Sequence, residues 1–238
     1  DTGNPDFKAE SFSLLYQRSL FQSLGSQKRL VFGLLKKLIP QLPGSVQGIA
    51  NHVHSLKQDI KTRFELITRK KYSVKKIRIH GDYHLGQILF TGKDFIIIDF
   101  EGEPAKAISE RKLKRSSLRD IASMLRSFHY AINSILYLDK SQRTEDVALL
   151  EKAADIWYSC VCDIFIESYF ASVASAGFLP KTKSELNILL HIFLLDKAIY
   201  ELGYELNNRP DWLEIPLRGI CKVLNDFNEI LPTRGEKG

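Results

Sequence analysis

Residues 80–104 read HGDYHLGQILFTGKDFIIIDFEGEP, and the composition of this stretch differs from everything around it. QILFTGKDFIIID is rich in β-branched and aromatic residues and carries T-G-K-D near its middle, the signature of two short strands joined by a turn. KKIRIHGD, just upstream, also has strand composition. Outside this region apolar residues recur at helical steps. Leu14, Leu15, Leu20, Phe21 and Leu24, then Leu30, Val31, Leu34, Leu35 and Leu38, predict a helix that starts after Ser11 and ends at Pro40 and L-P-G-S. A second helix is expected over residues 46–69. Downstream of a basic connector, the periodicity predicts helices over 118–138, with Ser116 and Ser117 as N-cap residues, and over 145–176, 184–207 and 216–231. Residues 1–10 are polar, with Gly and Pro, and read as a linker or disordered start; residues 11–238 form the helical unit. There is no internal repeat. The expected fold is mainly α with a small embedded β-hairpin.

Composition sets outer bounds. A chain of 238 residues, 44% hydrophobic and 26% charged, can bury a sizeable core as one large or two small domains. The longest uncharged apolar run, residues 188–195, is too short to span a bilayer, and the first residues lack a basic-then-apolar leader pattern. A soluble, cytoplasmic protein without membrane association is expected. Cys160, Cys162 and Cys221 form no C-x-x-C pair and read as reduced core thiols. The net charge of +6 is densest in RKLKR, residues 111–115; without interleaved aromatic rings to stack bases, this is a solvated face rather than a nucleic-acid site. The chain begins at Asp1 and holds one methionine, Met124, so it is expected to be a piece of a longer protein.

The aspartates beside the hairpin carry the chemistry. In kinase catalytic loops, H-x-D is followed five residues later by an amide metal ligand, and a second Asp follows after a hairpin. His80, Asp82 and Gln87 keep that spacing, and Asp99-Phe100-Glu101 stands where D-F-G would. Phosphoryl transfer requires one carboxylate to orient the acceptor hydroxyl and oxygen ligands to hold Mg²⁺ against the nucleotide phosphates. Asp82 is therefore the expected base, with His80 beside it in the loop. Gln87 and Asp99 are the expected Mg²⁺ ligands, followed by Glu101. A lone Asp in a turn usually caps amides, but the whole set at this spacing is much less expected by chance.

H-G-D-Y-H-L-G-Q and I-D-F-E-G-E-P resemble maltokinase, within the aminoglycoside phosphotransferase-like kinases, and in particular the kinase region fused behind trehalose synthase. The resemblance continues through Y-Q-R-S-L-F-Q-S (16–23), K-R-S-S-L-R-D-I-A-S-M-L-R-S-F (114–128) and Y-E-L-N-N-R-P-D-W (204–212). It implies the C-terminal lobe of a protein-kinase-like fold and transfer from ATP, with Mg²⁺, to the anomeric hydroxyl of maltose. It also implies association with an N-terminal kinase lobe and a trehalose synthase domain.

Lys197, Glu201, Tyr204 and Asn208 recur at helical steps with Tyr200 beside them, a face suited to a disaccharide; Arg209, Trp212, His84 and Arg126 are counted with it. The alternative is a surface stripe with a Lys-to-Glu pair. Arg119 and Asp120 are expected to support the catalytic loop. Neither a Gly-rich loop nor a strand-borne Lys occurs before His80, so the nucleotide-covering lobe is expected to lie outside this chain, and the chain alone to be inactive. Two rivals remain: a noncatalytic kinase-like interaction domain, and a metallohydrolase using His52, His54, His80, Asp82, His84 and Asp99. The second is weakened because His52 and His54 lie at i,i+2 on a helix.

Overall fold

The computed structural model describes residues 4–104, 106–138 and 147–230. The element order is β1 (Glu10–Ser11), α1 (Leu14–Leu38), α2 (Gly44–Ser55), α3 (Lys57–Glu65), β2 (Lys75–Lys76), β3 (Ile88–Phe90), β4 (Phe95–Ile97), α4 (Ile108–Arg111), α5 (Leu118–Leu138), α6 (Val147–Ser172), α7 (Lys183–Asn208) and α8 (Glu214–Ile230). Short 3-10 turns follow α1, α3 and α7, and another precedes β3. The fold is mostly helical with two small two-stranded sheets.

Helix α7 is the hub. It packs on α1, α5 and α8, and Leu189, Ile192, Leu195, Ala198 and Leu202 along it are fully buried. Burying each Leu or Ile of that set contributes about 1.5–3 kcal/mol. The helix opens with a T-x-x-E start: the Thr182 hydroxyl accepts from the Glu185 amide at 3.2 Å. The Glu185 carboxylate does not return to Thr182. It accepts from the Ser73 hydroxyl at 2.6 Å and pairs with Lys70 at 3.4 Å, tying the segment ahead of β2 to α7. Burial by itself would raise the Glu185 pKa, but the Ser73 and Lys70 contacts outweigh it and hold the carboxyl below its ordinary value. Gly203 lets α1 approach, because a Cβ there would stand 2.8 Å from Cγ2 of Val31.

The hairpin forms where the composition put it, with Ile88 opposite Ile97, Leu89 opposite Ile96 and Phe90 opposite Phe95. Two expectations change. The single helix over 46–69 divides at Leu56, whose ψ of 5° leaves the helical basin; this turn allows Ala50 and Val53 on α2, and Ile60 and Phe64 on α3, all to reach the core. KKIRIHGD does not join the hairpin: β2 pairs with β1, and Ile77 bridges Arg115. Among residues 4–10, the Pro5 carbonyl accepts from Lys114 at 2.7 Å and Glu10 pairs with Lys114 at 3.1 Å. The helices expected over 145–176 and 216–231 appear as α6 and α8; residues 145, 146 and 231 lie outside the described residues, as do 1–3. No helix among the described residues is long and apolar enough to cross a membrane.

Candidate active site

The loop at residues 80–87 hangs from α5. Asp120, in the first turn of that helix, accepts the His80 amide at 2.8 Å and the Gly81 amide at 3.0 Å, one on each carboxylate oxygen. Two turns further on, the Ser127 hydroxyl accepts the Leu85 amide at 3.0 Å. Burial pushes the Asp120 carboxyl above its ordinary value although both amides favour the charge. Gly81 has φ of +86°, and the α-carbon of Gly102 lies 3.6 Å from where its Cβ would stand. Two loops, 80–82 and 99–102, thus meet backbone to backbone.

His80 is 8% exposed, and its ring is used up. Nε2 lies 2.8 Å from the Ile98 carbonyl and Nδ1 accepts the Asp82 amide at 3.3 Å. These partners fit a neutral ring protonated at Nε2, which makes His80 a positioning residue between the loop and the end of β4. His84 is set similarly: Nδ1 accepts the Gly86 amide at 3.1 Å and Nε2 points toward Asp82 Oδ2 at 3.8 Å. Gly86 is required there, since a Cβ would lie 2.8 Å from the His84 ring.

Asp99 has φ of +61°, the one non-glycine residue at positive φ among the described residues. Such strain persists where surrounding contacts fix it. Here Gln87 Nε2 donates to Asp99 Oδ2 at 3.0 Å, so the Gln87 amide oxygen and Asp99 Oδ1 remain as hard oxygen donors at an exposed edge. That donor set fits Mg²⁺, which takes one or two protein oxygens and completes its shell with water and phosphate. Glu101 is exposed. Glu103, absent from the expected site residues, pairs with Lys106 and accepts a hydrogen bond from Tyr200. Burial alone would raise its pKa, but Lys106 and Tyr200 hold it below the ordinary carboxylate value.

The expected polar stripe on α7 divides. Glu201 turns inward, where its Oε2 accepts Arg126 Nε at 2.8 Å and Nη2 at 2.7 Å. Arg126 is 1% exposed, and its guanidinium packs where Gly219 has no side chain. Both residues were expected to face substrate; instead they form an interior strut. Glu205, also buried, accepts Arg209 Nε and Nη2 at 2.9 and 2.7 Å. Arg209 lies over the Tyr204 and Trp212 rings, and Trp212 stacks on Tyr130. Asn208 donates to the Tyr204 carbonyl at 2.8 Å.

The remaining polar groups line two hollows that share Tyr200. The inner one, about 90 Å³, lies beneath Gly81 and Gly102 among Glu103, Lys106, Asp120, Asp196 and Lys197. It is too small for a sugar ring. Arg119 pairs there with Asp196 at 3.2 Å. The outer one, about 360 Å³ between α1 and α7, is bordered by Gln27, Leu30, Tyr204, Asn207 and Asn208, and Tyr204 is 47% exposed. Its size and its mixture of two rings with several amides suit a carbohydrate.

His52 and His54 lie on α2, where His54 stacks on Phe32. Among the described residues no cluster of three or more His, Cys, Asp or Glu side chains is placed to hold a metal by itself.

The fold is like that of solved glucosamine kinase structures. It matches a structure of glucosamine kinase in complex with glucosamine, ADP and inorganic phosphate with a TM-score of 0.67 at 16% identity, over 93% of this chain and 50% of that one. A second glucosamine kinase structure, crystal form A, matches with a TM-score of 0.64 at 16% identity, over 93% of this chain and 49% of that one. In sequence the chain is 24% identical over 148 residues to glucosamine kinase from Streptacidiphilus jiangxiensis, covering 62% of this chain and 32% of that protein. Similarity to glucosamine kinase from Mycolicibacterium smegmatis is again 24%, over 149 residues, 62% of this chain and 34% of that protein. The chain therefore spans about a third of these relatives and half of the solved structures. No protein-family model matches it.

Proposed function

We propose that the chain is the catalytic C-terminal lobe of an ATP-dependent carbohydrate kinase, with Asp82 as the base that takes the acceptor hydroxyl's proton. The observation that carries this reading is the junction of Asp82, on a loop fixed by Asp120 and Ser127, with the Gln87–Asp99 pair across the root of the hairpin. Gln87 and Asp99 would hold Mg²⁺, which would supply neutralisation of charge on the transferring phosphoryl group. His84 Nε2 faces the Asp82 carboxylate at 3.8 Å. Leu89 and Ile96, a cross-strand pair each 51% exposed, offer an apolar platform beside the metal ligands for the nucleotide base. A further lobe, outside this chain, closes over it; the exposed hairpin and the half-length match to glucosamine kinase structures support that arrangement.

The acceptor lies along Tyr200, Tyr204, Asn208 and Lys197. We assign it as maltose, phosphorylated at the anomeric hydroxyl, in a protein associated with a trehalose synthase domain. That finer assignment is supported by the resemblance of D-F-E-G-E-P and N-N-R-P-D-W to maltokinase. Glucosamine is the second reading, favoured by the relatives' names.

The test is phosphate transfer from ATP to maltose and to glucosamine, followed by ³¹P NMR, using the full-length protein that carries this chain. The Asp82→Asn form is run beside it. Loss of about 10²–10⁴-fold in rate with nucleotide binding retained is expected for removal of a general base. Transfer to glucosamine but not maltose would replace the acceptor assignment and leave the base assignment standing. Unchanged transfer by Asp82→Asn would remove the mechanism.

A further inference from the structure

Helix α6 is apolar on two sides. Its inner side carries Ala154, Cys162 and Tyr169 to the core. Its outer side exposes Leu149 (69%), Ile156 (66%), Ile164 (65%) and Trp157 (41%), and Ala153, Cys160 and Ala171 are exposed as well.

The outward positions are symmetric about Cys160. Ile156 and Ile164 stand four residues either side of it, Ala153 and Glu167 seven, and Leu149 and Ala171 eleven. An 11-residue repeat has about 3.67 residues per turn, so these positions run almost straight along the helix for about 33 Å. A two-fold axis through Cys160 maps this line onto itself with the helices antiparallel. Ile156 of each copy then meets Ile164 of the other, and Leu149 meets Ala171. On one flank Trp157 packs beside the opposing Ile164. On the other flank Lys152 comes within one residue's rise of the position facing the opposing Glu167. Both are exposed, and neither has an ion-pair partner among the described residues of its own chain. The symmetry supplies each with a partner, twice over.

We propose that the outer face of α6 is an isologous interface between two copies of this chain, crossing antiparallel at Cys160. What commits the face to a second copy is that this operator brings Lys152 of each copy, unpaired among the described residues, beside the likewise unpaired Glu167 of the other. The inference is independent of the reaction proposed above.

The experiment is sedimentation equilibrium of the full chain over a range of concentrations. A doubling of mass with concentration is expected, and Ile164→Lys should return the monomer with its helical circular dichroism melt retained. Lys152→Glu and Glu167→Lys should each weaken the dimer, and the double exchange should restore it. A short bismaleimide should join Cys160 to Cys160, and Cys160→Ser should abolish the product. A monomer at every concentration overturns the proposal, since another segment or molecule then covers the face. So does a dimer indifferent to Ile164→Lys, a double exchange no better than the single ones, or a dimer that does not crosslink through Cys160.

Discussion

Asp120 does two jobs that pull in opposite directions. Burial raises its pKa above the ordinary 3.8, so the folded state takes up its proton more readily than the unfolded chain does. This carboxyl therefore contributes stability that is fully present below the unfolded value and is lost as pH rises through the folded value. The loop at 80–82, by contrast, needs the ionised form, which accepts two amides. Asp120→Asn is accordingly expected to change stability at neutral pH by less than about 1 kcal/mol, because a lost charge–amide bond is offset by a lost desolvation cost. Transfer should still fall by about tenfold or more, as one carboxamide oxygen must serve two amides. Urea melts beside initial rates separate the two effects. Arg126 behaves differently. Burial opposes its charge, but Glu201 outweighs burial and holds its pKa above the ordinary value. Arg126→Ala leaves Glu201 with an unpaired charge, and a loss of about 3–5 kcal/mol in urea unfolding is expected.

At the scale of elements, the contact between α1 and α7 depends on a missing side chain. Gly203→Ala places a methyl group 2.8 Å from Val31 Cγ2, and destabilisation of about 1–3 kcal/mol is expected. Val31→Ala should recover most of it, and a double-mutant cycle by thermal melting reads that coupling. Long elements were legible in the sequence because they obey a local period: the hairpin, α5 and α7 fall within a residue or two of expectation. The break at Leu56 and the β1–β2 pair were not, because each depends on partners far along the chain. The site shows the same division. Spacing singles out Asp82, Gln87 and Asp99 as candidates, and Gln87 and Asp99 do meet, whereas the inward pairing of Glu201 with Arg126 is not legible because nothing in the sequence shows that opposite charges 75 residues apart meet. Ser127 had a usable signal, since it lies seven residues after Asp120 and so on the same helix face. Glu103 had none beyond its place in E-G-E-P.

For the molecule as a whole, the main imbalance is the hairpin, where Leu89, Phe90, Phe95 and Ile96 are each at least half exposed. A patch of this kind is an aggregation liability unless something covers it. Replacing Leu89 with Asn and Ile96 with Thr should raise the solubility of this chain with little change in its melting temperature, as neither side chain is buried. In the full-length protein the same pair should raise KM for ATP more than it lowers kcat. Unchanged KM would remove the nucleotide platform from the proposed function.

The anchoring of residues 80 and 81 by Asp120 also has a consequence for synthesis on the ribosome. Helix α5, which supplies that carboxylate, packs on α7, whose buried residues extend to Leu206. The loop is translated long before its support exists, and at about 5–20 residues per second it waits several seconds or more for α7 to emerge. A nascent chain thus cannot fix the 80–87 loop early, and premature termination anywhere before α7 yields a product in which that loop lacks its support.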